Sequence, residues 1–131
     1  MSTEFKNKTV LIVDDSIVRG TTSKQIVQMA KVAGANKVFF TSAAPPVRFP
    51  HVYGINMPKR DELIAHDRTI IEIEKKLEID RLVYQSIDNL RNSIIIDSPI
   101  KNLEMSCFTG SYVTGTVTQE YLDWVENEYN S

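Results

Sequence analysis

The stretch Thr9-Val10-Leu11-Ile12-Val13-Asp14-Asp15-Ser16-Ile17-Val18-Arg19-Gly20-Thr21-Thr22 decides the fold. It opens on a short, continuous apolar run, the pattern of a strand buried on both faces of a parallel sheet. Two acids close the run, a Gly-Thr-Thr turn follows, and then a helix. Thr22 is placed to cap that helix, with Gln25 three residues on completing a capping box. Ile26, Met29, Ala30 and Ala33 supply one apolar face, and Gly34 a C-terminal stop. Lys37 to Ala43 is strand-like again. Strand, loop, helix and strand in that order predict a right-handed parallel crossover.

Working outward, Pro45-Pro46 ends the second strand. A short strand is expected at His51-Val52-Tyr53-Gly54-Ile55. Glu62 to Glu78 is expected to be helical in two pieces broken near His66-Asp67, with Ile70, Ile73 and Leu77 on one face. Arg81 to Tyr84 is a strand candidate, and Ser86 caps a helix through Arg91. Cys107 to Val113 is expected as an edge strand. Thr118 caps a last helix whose Tyr121, Trp124 and Tyr129 read as core packing. The predicted fold class is α/β: an open, mainly parallel sheet with flanking helices, incomplete, plus a C-terminal helical segment. One domain suits the 131 residues.

The bulk numbers bound the function. Fifteen basic against 17 acidic residues give a net charge of -2, which provides no general attraction to nucleic acid or anionic membrane. Any phosphate binding must come from a local loop. The single cysteine, Cys107, can form neither an internal disulfide nor a thiolate cage, so a reducing, cytoplasmic setting is expected. The polar Met1–Lys8 segment does not fit a secretory signal, and apolar runs such as Ile94-Ile95-Ile96 are too short to span a membrane. His51 and His66 lack metal spacing and read as structural.

Ligands of open parallel sheets gather at the carboxyl ends of strands. Asp14 and Asp15 lie at such an end. Adjacent carboxylates accept hydrogen bonds from a vicinal diol such as ribose 2′- and 3′-hydroxyls, and they suit a hard cation such as Mg²⁺. Gly20 lets a ligand approach the backbone. Ser16, Thr21 and Thr22 offer hydroxyls, and the amides from Arg19 to Ser23 converge where a helix begins and anions are favoured. The layout suits a ribose 5-phosphate, and a side chain at position 20 is expected to obstruct the phosphate or to force the backbone out of its preferred region.

Val10 to Thr22 resembles the phosphoribosyl pyrophosphate motif of type I phosphoribosyltransferases. Its Ser-Ile-Val-Arg-Gly-Thr-Thr wording is similar to the glutamine phosphoribosylpyrophosphate amidotransferase family. So are Ser42-Ala43-Ala44-Pro45, Arg48-Phe49-Pro50, Tyr53 to Pro58, Glu62 to His66 and Cys107 to Val113. The resemblance implies transfer of glutamine-derived ammonia onto phosphoribosyl pyrophosphate, giving 5-phosphoribosylamine for purine synthesis. It implies Mg²⁺ at Asp14 and Asp15, and substrate contacts from Asp14, Asp15, Ser16, Ile17, Val18, Arg19, Gly20, Thr21 and Thr22. It further implies feedback by purine nucleotides and a homo-oligomeric full-length enzyme. Neither acid needs to be a nucleophile, and no catalytic residue is assigned in this chain.

The same resemblance implies that residues 1–131 are the C-terminal portion of a transferase domain with the glutaminase domain absent, and that the isolated chain is inactive. One branch of the family holds an iron–sulfur cluster through a Cys-x-x-Cys-Phe-Thr-Gly element. Here Glu104 replaces the first cysteine, so no cluster is expected. Two rival readings exist. One is a non-catalytic ribose-phosphate or nucleotide-binding module. The other, more remote, is a receiver-like domain, whose phospho-acceptor position would here be Gly54, without a carboxylate.

Overall fold

The computed structural model describes residues 2–54 and 59–128. The elements run α1 (Ser2–Phe5), β1 (Thr9–Asp14), α2 (Thr21–Val32), β2 (Lys37–Ser42), a 3₁₀ turn (Arg60–Glu62), α3 (Ile70–Leu77), β3 (Arg81–Tyr84), α4 (Ile87–Ile95), α5 (Ser106–Thr109) and α6 (Gln119–Glu128). The three strands stand in the order β1-β2-β3, and both pairs are parallel. Val10 pairs with Val38, Ile12 with Phe40, and Phe40 with Leu82. Directly paired residues share a face, so these apolar side chains line one side of the sheet. Val27 and Ala30 of α2 and Ile73 and Leu77 of α3 join Val38, Phe40 and Leu82 in one core, with Ile12 packed against it. Burying each large side chain there stabilises the fold by roughly 1.5–3 kcal/mol.

The other sheet face differs from expectation. Leu11 and Val13 are 60% and 69% exposed, so β1 is not buried on both faces. The helices that pack on the sheet through this core lie on the Phe40 side, and Leu11 and Val13 point to the opposite one. Helix α2 is also turned relative to its predicted face. Ser23, Val27 and Ala30 are buried, whereas Ile26 and Met29 are exposed. Ser23, Val27 and Ala30, at i, i+4 and i+7, form the contacting stripe. The N-cap is Gly20, in the left-handed region at φ 78°, with no side-chain cap bond; the expected Thr22 capping box does not form.

Helix α3 keeps its predicted face and adds a capping box in which Thr69 accepts from the Glu72 amide and Glu72 accepts from the Thr69 amide. Those bonds hold the Glu72 carboxyl below its ordinary range. The piece before it is not an α-helix: only Arg60–Glu62 is helical, as a 3₁₀ turn, and residues 63–69 are irregular. Residues 51–54 form no strand; Ile55 lies outside the described residues. Ser86 caps α4 as expected, accepting from Asn89, and the helix runs on to Ile95. Cys107 to Val113 is not an edge strand. It starts as the short α5, and the Cys107 carbonyl accepts bonds from the Arg48 and Phe49 amides.

In α6, Leu122 is the buried residue, while Tyr121 and Trp124 are exposed and lie against each other at 5.9 Å. They are not core packing; Tyr129 lies outside the described residues. Charge holds this helix instead. Arg60 donates through Nε and Nη2 to Glu126 at 2.7 and 2.9 Å and through its amide at 3.0 Å, and it also bonds Asp123. The Arg60 guanidinium holds the Glu126 and Asp123 carboxyls below their ordinary range. A depressed carboxyl stabilises the fold above its unfolded value, and the effect is lost as pH falls through the lower folded value. The clasp's contribution is therefore complete above the ordinary glutamate value of 4.5, and the clasp releases only as pH falls further, through the lower folded-state value. Trp124, the chain's only tryptophan, reports it. Its fluorescence should change on acidification in the wild type. Arg60→Ala should show the released signal already at neutral pH, at a cost of roughly 1.5–3 kcal/mol. Identical acid titrations of the two proteins would refute the clasp.

Candidate functional site

The site begins where β1 ends. Ala43 and Ala44 donate to the carbonyls of Asp14 and Asp15, each at 2.9 Å, so parallel pairing continues past the strand and fixes the main chain beneath both acids. Asp14 Oδ1 accepts the Asp15 amide at 3.0 Å, and Asp15 Oδ1 accepts the Ser16 hydroxyl at 3.3 Å. Ile17 then turns inward, 1% exposed, and anchors the loop in the core. The Val18 carbonyl accepts the Ile64 amide at 2.9 Å. Arg19 is tied to Glu62 at 2.7 Å. Gly20 closes the loop, and its carbonyl accepts the Lys24 amide at 2.9 Å as α2 begins.

These residues surround an open cavity of about 620 Å³ lined by Asp14, Asp15, Ser16, Val18, Arg19, Gly20, Thr21, Thr22 and Ser23. The geometry thus brings together every predicted site residue except Ile17, whose side chain packs away from it. Thr21 and Thr22 are exposed. The amides of the first turn of α2 have no partner within the helix. Because Gly20 offers no capping side chain, a bound anion can serve them.

Gly20 has the backbone reason expected, a left-handed φ of 78°, and a steric reason on its core side that was not expected. A Cβ built there would lie 2.3 Å from Ile64 Cδ1 and 3.3 Å from Leu77 Cδ2. The missing side chain faces the core, and a larger residue would meet Ile64 before any ligand. The sequence offers Ser23 only through its amide, whereas the residue is 3% exposed and lines the cavity; it gives no sign of the contacts from Glu62 and Ile64. Those contacts span more than 40 positions, as the 43-residue separation of Arg19 and Glu62 illustrates, and leave no local pattern.

The donor set fits magnesium in one specific manner. Among the described residues no group of three or more His, Cys, Asp or Glu side chains is assembled. Asp14, Asp15 and neighbouring hydroxyls present only oxygen. Such a set suits a small hard cation that keeps several waters and takes ligand phosphate oxygens, rather than one needing a full protein cage. The other candidates have ordinary partners. His51 Nε2 lies 3.1 Å from Glu104, and His66 Nδ1 lies 2.8 Å from the Arg48 carbonyl. Burial and the nearby Glu104 push the Cys107 thiol up, which keeps it protonated and a poor nucleophile.

Along nearly its whole length the chain is 53% identical to an amidophosphoribosyltransferase of Pasteurella multocida, covering 99% of the chain and 26% of that enzyme. This chain is homologous to a segment of amidophosphoribosyltransferase. The Escherichia coli enzyme is 51% identical over 97% of the chain, and the Saccharomyces cerevisiae enzyme 49% over all of it; in each the chain spans about a quarter of the relative's length. No family model matches. Two solved structures share the fold. One, described as the allosteric regulatory enzyme of purine biosynthesis, superposes with TM-score 0.81 at 36% identity, over 96% of this chain and 28% of that one. The other, glutamine phosphoribosylpyrophosphate amidotransferase from B. subtilis complexed with ADP and GMP, gives 0.77 at 37%, over 86% and 25%. The open parallel sheet with flanking helices is that of these enzymes' phosphoribosyltransferase fold.

Proposed function

We propose that this chain supplies the ribose-5-phosphate half of an amidophosphoribosyltransferase transfer site. The observation that carries the reading is the single cavity of Asp14 to Ser23. It sets two carboxylates beside the uncapped first turn of a helix. Thr21, Thr22 and the amides of that turn would bind the 5-phosphate, whose charge suits a helix N-terminus. Asp14 and Asp15 would accept the ribose 2′- and 3′-hydroxyls and hold Mg²⁺ together with its waters. Bound there, Mg²⁺ would neutralise charge on the departing pyrophosphate.

In the reaction, ammonia attacks ribose C1 as the C1–O bond to pyrophosphate breaks. Ammonia loses a proton, and 5-phosphoribosylamine and pyrophosphate leave. Positive charge develops on the ring, and carboxylates fixed beneath it stabilise that charge in place. No side chain of this loop needs to form a covalent bond. Purine nucleotides carry the same ribose 5-phosphate and are proposed to compete for the cavity. A homo-oligomeric, cytoplasmic full-length enzyme is part of the same reading.

A second reading is favoured for the chain by itself, because it spans only about a quarter of its relatives. In that reading it binds ribose phosphates without turning them over. Calorimetry with phosphoribosyl pyrophosphate and Mg²⁺, beside an ammonia-dependent transfer assay, separates the two. Binding is expected in both; turnover by this chain alone would refute the second. Absence of binding would refute both.

A further inference from the structure

We propose that Ile64 is a positioning residue for the phosphate loop, and that residues 62–68 act as a fixed buttress beneath it. The inference rests on the reading that the Asp14–Ser23 cavity holds a ribose phosphate. Ile64 reaches the loop twice. Its amide donates to the Val18 carbonyl at 2.9 Å. Its side chain, 1% exposed, occupies the volume that a Cβ on residue 20 would fill. One position upstream of Leu63, Glu62 adds the ion pair to Arg19. Three consecutive loop residues, Val18, Arg19 and Gly20, are therefore seated on one segment.

That segment has no regular secondary structure between residues 63 and 69, so its rigidity must come from elsewhere. Two guanidiniums provide it. Arg48 Nη1 donates to the carbonyls of Ala65 at 2.7 Å and Arg68 at 3.1 Å. Arg68 Nη1 donates to those of Leu63 and Ile64, each at 3.1 Å. Leu63, Ile64 and Ala65 are all buried at 1% exposure or less. Buried carbonyls without a ladder need such donors, and cationic donors make the stronger bonds. The Ile64 methyl under Gly20 stops the loop from sinking into the core. It thereby keeps the first-turn amides of α2 turned toward the cavity.

Ile73 provides the control. It belongs to the same core and is as buried as Ile64, yet it sits on α3 and supplies none of the three atoms nearest a Cβ at Gly20. Ile64→Ala and Ile73→Ala delete the same atoms and should lower the unfolding midpoint similarly. Calorimetry with ribose 5-phosphate should show at least a tenfold weaker affinity for Ile64→Ala and less than a twofold change for Ile73→Ala. Ile64→Val removes only Cδ1 and should weaken binding two- to fivefold, which keeps the test open if the alanine variant does not fold. Amide exchange at residues 21–23 in the unliganded proteins gives a reading independent of ligand. It should accelerate in both Ile64 variants and not in Ile73→Ala. Matching affinity losses and matching exchange in the Ile64 and Ile73 variants would overturn the proposal. A wild type that ignores ribose 5-phosphate, with exchange still altered selectively by Ile64, would instead refute the functional reading and leave the positioning role standing.

Discussion

Gly20→Val is expected to destabilise the fold by roughly 2–6 kcal/mol and to abolish ribose-phosphate binding. Two costs combine. A β-branched residue in the left-handed region costs on the order of 1–3 kcal/mol. Forcing atoms into a filled core costs a further ~1–3 kcal/mol, because the new Cβ would stand 2.3 Å from Ile64 Cδ1. Gly115 separates the two. It also has a positive φ, 67°, but a Cβ there meets nothing within 4 Å. Gly115→Val should therefore show the backbone cost alone. Urea unfolding of both variants provides the measurement. Equal midpoints for the two would show that Ile64 yields freely and that Gly20 is required only for its backbone.

The second large effect concerns ligand affinity with the fold intact. Asp14→Asn and Asp15→Asn should each weaken Mg²⁺-dependent binding of phosphoribosyl pyrophosphate by about 1.5–3 kcal/mol, on the order of 10- to 100-fold, through loss of a charge-assisted bond. Stability should barely change, since among the described residues the Asp14 and Asp15 side chains bond the adjacent Asp15 amide and Ser16 hydroxyl. Isothermal titration with and without Mg²⁺ gives the test. Wild-type affinity in both variants would remove the acids from the site. Thr22→Ala should be milder, because Thr22 does not cap α2 and loses only a hydroxyl contact.

The parts of this molecule that sequence reveals are those with local causes. The strand Thr9–Asp14, the turn at Gly20 and the helix behind it lie within one stretch, and their chemistry is written in adjacent residues. The face of α2 departs from the apolar pattern because the stripe that meets the sheet is built from Ser23, Val27 and Ala30, two of them small, while the bulkier Ile26 and Met29 face outward. Hydrophobic size is a poor guide where close approach selects small residues. The break expected near His66-Asp67 widens to the whole irregular segment 63–69, because its ordering bonds come from Arg48 and from Arg68 folding back. The aromatics of α6 were read as core, whereas the Arg60 clasp holds that helix from a distant position. The loop residues, by contrast, are neighbours in sequence, and their grouping around one cavity follows from that adjacency. Only Ile17 departs, its side chain anchoring the loop in the core instead of lining the cavity.

The central claim is that Asp14 to Ser23 hold a ribose 5-phosphate. Amide chemical shifts of the isotope-labelled chain, titrated with phosphoribosyl pyrophosphate and Mg²⁺, test it most directly. Saturable changes should concentrate at residues 14–23, with smaller ones at Glu62 and Ile64 behind the loop. A titration that leaves the amides of residues 14–23 unmoved, or that moves only residues elsewhere, would contradict the account.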